Sequence, residues 1–216
     1  MPRASLAGLL VVFAALTLGG CNMVMSTKPM FTAADAAGAP VLRPGLWVAL
    51  DKDCKDFSPS DEPDQWPQCA NGIRVGATNL YDPTDPNTPS AYVLASGDPR
   101  ILQFYIDLST LQPSETHPAP AWTYFYAAVR PRAHDGAGRI TSAEFWFIQC
   151  GPPPPKGADG TVNMDDSATH KLLPGMTATK QGCSPKDQAT VRAAAGPSKA
   201  WDDDHHVYHW LRDAVP

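Results

Sequence analysis

The chain contains no HExxH, GxSxG or SxxK motif, which excludes the usual signatures of zinc proteases, α/β-hydrolases and active-serine acyl transferases. It has no CxxC pair, and its cysteines stand at least 15 residues apart, too dispersed for a structural zinc site. Charge is sparse: charged residues are 18 % of the chain and the formal net charge is −5. Mild acidity argues against nucleic acid or anionic lipid as the main partner. Long helical runs are also scarce, because 23 Pro and 16 Gly interrupt the sequence. Those residues favour short strands and long connections over a helical bundle. No long apolar run follows the N-terminal one.

The N-terminal run reads MPRASLAGLLVVFAALTLGGC. Arg3 gives a short positive start, and Leu6 to Leu18 is apolar apart from small residues. This suits the hydrophobic region of a signal peptide and is shorter than the roughly 20 residues that span a bilayer. The run ends Leu18-Gly19-Gly20-Cys21, which resembles the lipobox of bacterial lipoproteins. The resemblance implies diacylglyceryl transfer to the Cys21 thiol, cleavage after Gly20, and N-acylation with a palmitate-type chain. Residues 1–20 are then a signal peptide. Asn22, where enteric inner-membrane lipoproteins carry Asp, favours by the same resemblance the periplasmic face of the outer membrane. The stretch from Leu42 (LRPGLWVALDKDC…WPQCA) is similar to lipoproteins of alphaproteobacterial type, a resemblance that carries no activity.

With Cys21 set aside, four cysteines remain: Cys54, Cys69, Cys150 and Cys183. An even number in an oxidising compartment reads as two disulfides. Three connectivities are open. Cys54–Cys69 and Cys150–Cys183 are preferred, since each closes a loop rich in Pro, Asp and Gly.

Residues 21–40 are small and polar without periodicity, and read as a lipidated tether that ends by docking Met30 and Phe31. Residues 41–216 read as one disulfide-bonded domain. Strand patterns fall at 46–50, 73–78, 92–95, 101–108, 122–130 and 140–150. In the fourth, Leu102, Phe104, Ile106 and Leu108 share a face. The last two flank His134-Asp135-Gly136-Ala137-Gly138, a hairpin turn signal. Both carry aromatics on both faces, so the hairpin is expected to be covered on both sides. Pro-rich connections are expected at 82–89, 112–121 and 151–170. The fold class is therefore mainly β (an antiparallel sheet, small barrel or sandwich) with one or two short C-terminal helices. The first helix is capped by Ser184, has Pro185 at its first position, and ends at Gly196-Pro197. The second runs over 203–214, with Val207, Trp210, Leu211 and Ala214 on one face. A short echo links Leu42–Trp66 with Leu172–Trp201: each has Leu-x-Pro-Gly or similar, then Cys, Ser-Pro-x-Asp and Trp. It reads either as a duplicated unit or as coincidence.

Three candidate sites stand against plainer readings. Asp202, His205 and His209 would share a helix face and could bind Zn²⁺ or Cu²⁺, or simply form a wet helix start. Glu144, Trp146 and Tyr124 could bind or cleave a sugar, or Glu144 could pair with Arg130 or Arg139 while the aromatics form core. Asp135 to Glu144 partly resembles an EF-hand loop, but Ala133 and Ala137 stand where carboxylates are needed, so a plain turn is expected. The leading function is a membrane-anchored, non-catalytic envelope module that binds or recruits a partner protein. The alternatives are an envelope hydrolase using Glu144 and a periplasmic metal-binding protein using the His cluster. No catalytic residue, cofactor or nucleic-acid partner is expected.

Overall fold

The computed structural model describes residues 22–107, 122–153, 171–179, 182–201 and 206–214. Its elements in chain order are β1 (Met25–Ser26), β2 (Gly45–Leu50), β3 (Ala70–Val75), β4 (Asn79–Asp82), β5 (Asp85–Ala95), β6 (Arg100–Asp107), β7 (Trp122–His134), β8 (Ile140–Phe147), β9 (Met176–Thr179), β10 (Gly182–Pro185), helix α1 (Gln188–Ser198) and β11 (Val207–Arg212). Strands β2 to β8 and β11 form an antiparallel barrel in the order β7-β6-β5-β4-β3-β2-β11-β8, closed by β8 on β7. Closure leaves these eight strands without a free edge, which removes the main aggregation liability of a sheet. The mainly β expectation is met, in its barrel form.

Side-chain alternation divides the core into two layers. One face of every barrel strand points inward and supplies Trp47, Val75, Leu80, Leu94, Leu102, Val129, Ala143 and, half-buried, Trp210. The opposite face of β5 to β8 supplies Ala95, Ile101, Tyr126, Ala128 and Trp146. Those residues are covered by Val191, Ala194 and Ala195 of α1, by Met176 and Cys183 of the β9–β10 hairpin, and by Val24 and Phe31. The β7–β8 hairpin is thus buried on both sides, as its double-faced aromatics demanded. Its turn is built on Asp135, which accepts from the Arg139 main chain at 2.9 Å, and on Gly138 at φ +78, a conformation that suits glycine.

Several expectations are corrected. Residues 22–26 are not a loose tether. Met23, Val24 and Met25 are all buried, and β1 pairs with β7 through Met25–Phe125 and Ser26–Tyr124. Met25 and Val24 face opposite core clusters, so both sides of this short segment gain from burial. The docking of Phe31 holds: the Gln103 side chain accepts from Met30 N and Phe31 N and donates to Phe31 O. The 82–89 connection is instead a tight hairpin: residues 83 and 84 form the turn between β4 and β5, and the rest is strand.

The C-terminal elements also differ. Helix α1 is capped by Asp187, whose carboxylate accepts from Thr190 N at 2.8 Å, while Ser184 and Pro185 belong to β10. The helix runs through Gly196-Pro197 to Ser198, whose hydroxyl donates to Ala194 O and accepts from Gln149 N. Residues 207–212 are strand, not helix. Tyr208 and Trp210 face the barrel interior and His209 faces out, because β11 fills the gap between β2 and β8. The backbone bonds gained on closing the barrel outweigh the weak helical pattern.

The disulfides are Cys54–Cys69 and Cys150–Cys183, as preferred from the loops. The duplicated-unit reading fails. Gly45 opens a barrel strand and Cys54 bonds forward, whereas Gly175 precedes an outlying hairpin, Cys183 bonds backward, and only the second unit continues into an α-helix.

Candidate functional site

Glu144 lies on the outer face of β8, paired across the sheet with Arg130 on β7 and Val207 on β11. Its side chain is 2 % exposed, yet it is ionised and doubly held. Arg132 Nη2 donates to Oε2 at 2.6 Å, and Lys199 Nζ lies 2.6 Å from Oε1. The partners are not Arg130 or Arg139. Arg132, two residues after Arg130, shares the face of Glu144, and the bulge between Pro131 and Ala133 leaves it without a cross-strand partner. Arg130 instead lies over the Trp146 ring at 5.5 Å, and Arg139 pairs with Asp135 at 2.8 Å. Burial alone would raise the Glu144 carboxyl. Hydrogen bonds and charge from Lys199 and then Arg132 more than offset it, so its pKa is lowered. A general acid working near neutral pH needs the opposite shift. The arrangement is a buried clamp joining the barrel wall to the end of α1.

Trp146 serves the same junction. Its ring is buried and its indole N–H donates to Ala195 O at 2.7 Å, with Lys199 Nζ 5.5 Å from the ring centroid. Tyr124 does not join them. It stands on β7 six residues before Arg130, about 20 Å away along an extended strand, with its ring 5.0 Å from that of Tyr105. The three expected ligand residues therefore do not converge. Tyr126, between them on the outer face, bonds the Ser26 hydroxyl, and burial pushes its phenol up to about 12.

Asp202 and His205 lie outside the described residues. His209 is exposed on β11, a strand where a helix was expected, opposite Ser142 and Val48. His206 Nδ1 is 4.0 Å from an Asp51 carboxylate oxygen. Among the described residues, no three His, Cys, Asp or Glu side chains gather into a metal-binding group. Asp135 is committed to the turn and to Arg139, and Glu144 to its two cations, so the partial EF-hand pattern has no free ligand set.

Cys21 also lies outside the described residues, but its neighbour is well fixed. Asn22 is buried, and its carbonyl accepts from Cys150 N at 2.6 Å. Met23 O accepts from Cys183 N at 3.3 Å. The main chain of residues 22 and 23 is thus hydrogen-bonded to both cysteines of one disulfide.

An apolar rim escaped the sequence reading. At the barrel end where β6 and β8 finish and β7 begins, Phe104 stacks on Phe125 at 5.9 Å and approaches Phe147 at 6.2 Å. Met23 and Met25 back this group and Ile106 extends it, while Phe147 remains 41 % exposed. The opposite end is shut: Leu42 bridges to Ile140, and the Arg43 guanidinium lies 3.3 Å over the Trp210 ring. The strand patterns marked these aromatics, but not that β1 would align beside them. No family model, curated protein or solved structure matches the chain.

Proposed function

We propose that this chain is an exported bacterial lipoprotein, anchored through Cys21 to the periplasmic face of a membrane, the outer membrane by preference. Its barrel acts as a non-catalytic module that binds or recruits an envelope partner. The observation that carries this reading is the cysteine inventory. Four of the five cysteines pair into two disulfides, and the fifth is the lipobox residue. Paired cysteines suit an oxidising compartment. The non-catalytic part is supported by the commitment of the best candidate acid, Glu144, to two cations. A rigid closed barrel is a suitable scaffold for a surface that recognises rather than reacts.

Metabolic labelling tests the anchor. Cells expressing the chain and fed labelled palmitate should incorporate label into it and retain it in the membrane fraction. Cys21→Ala should abolish both. Label on the Cys21→Ala variant, or retention of that variant in the cytosol of cells that export other lipoproteins, would count against the reading.

A further inference from the structure

We infer that the apolar rim around Phe147 rests directly on the lipid surface, so that the barrel is held in one orientation against the membrane instead of swinging on a tether. The inference rests on lipidation of Cys21 and adds where the folded domain must then sit. A lipid on that residue is separated by one peptide bond from Asn22, which is buried and hydrogen-bonded to Cys150. No flexible linker intervenes, and a linker of zero length gives the domain no reach away from its anchor.

The surface beside this point has the right chemistry. Asn22 is level with Cys150, and Met23 pairs with Gln149. Phe147 therefore lies about 10 Å along the same ladder from Asn22. Phe147 is one of the large hydrophobic side chains left exposed, with half-buried Phe104 and Ile106 beside it. The Tyr105–Tyr124 pair lies on the opposite face of the same strands, with Tyr124 against the other core cluster, and is not part of this rim. An exposed phenylalanine beside half-buried apolar side chains suits the boundary between headgroups and acyl chains. An apolar group this close to an acyl anchor meets lipid before any other partner. Two other large hydrophobics are exposed among the described residues: Leu50, at the end of β2, and Val41, which stands at the shut end of the barrel, where its carbonyl accepts from Ile140 N.

Brominated-lipid quenching tests the inference on the full lipidated protein in phosphatidylethanolamine–phosphatidylglycerol vesicles. Phe147→Trp and Val41→Trp are each compared with the parent protein to isolate the added emission. Mass spectrometry first establishes the lipid on Cys21. The Phe147→Trp emission should fall about twofold when the acyl chains are brominated, because interfacial groups sit about 5–10 Å deep. The Val41→Trp emission should not change. Equal, negligible quenching of both in protein shown to be lipidated overturns the docking while leaving the anchor intact. A Phe147→Trp emission that shifts with protein concentration in detergent, and is not quenched by lipid, means a second copy covers the rim and also overturns it. Absence of lipid on Cys21 removes both readings.

Discussion

Replacing Glu144 by Gln keeps the shape of the buried clamp and deletes its negative charge. Arg132 and Lys199 would then face a neutral amide at the two positions where each now sits 2.6 Å from a carboxylate oxygen. Removing one member of a buried ion pair typically costs 3–5 kcal/mol. The two cations here are only partly enclosed, with side chains 49 % and 27 % exposed, so water recovers some of the loss. The expected destabilisation is about 2–3 kcal/mol near neutral pH, between the buried and surface limits. Equilibrium urea unfolding measures it as a lower midpoint at unchanged slope. The pH dependence supplies a second check. The Glu144 carboxyl is depressed in the fold, so its contribution is present above its ordinary value of 4.5 and is lost as pH falls toward the folded value. The gap between parent and Glu144→Gln should therefore close in acid. Asp35, Asp135 and Asp187 are also depressed, but they act equally in both proteins and cancel in the difference. A loss under about 0.5 kcal/mol, the scale of an ordinary surface change, or a gap that persists in acid, would refute the clamp.

Other perturbations probe the remaining junctions. Trp146→Phe leaves Ala195 O without its donor and should cost about 1–3 kcal/mol in urea unfolding. Gln103→Leu removes three hydrogen bonds from the Met30–Phe31 main chain. Amide exchange across 22–36 should then accelerate while the β2–β3 ladder stays protected; equal acceleration of both would mean global destabilisation. Replacing Cys150 and Cys183 together by Ala should cost about 3–4 kcal/mol for a separation of 33 residues, and replacing Cys54 and Cys69 about 3 kcal/mol for 15. Only the first pair should loosen residues 22–26 in exchange experiments, because only that pair bonds to them.

Local chemistry made part of this fold legible in the sequence. The β7–β8 hairpin announced itself through its glycine-rich turn and double-faced aromatics, and the two disulfides match the pairing that loop composition favoured among three. What remained hidden depends on contacts between distant segments. The pattern at 207–214 fits a helix face about as well as a strand, and closure between β2 and β8 decided it. Residues 22–26 are too few to show any period, and their burial comes from partners far along the chain on β7, on 148–150 and at Cys183. At Glu144 the sequence marked the residue and the idea of a cation partner. The identities of Arg132 and Lys199 depend on the β7–β8 register and a helix end that no local pattern encodes.

Intact mass of the N-terminal peptide, taken from protein purified out of its native membrane, tests the anchored-module account most directly. The account predicts a peptide that begins at Cys21 and exceeds its sequence mass by a diacylglyceryl group and an amide-linked acyl chain. A peptide that begins at Met1, or one that carries Cys21 as a free thiol, would contradict it.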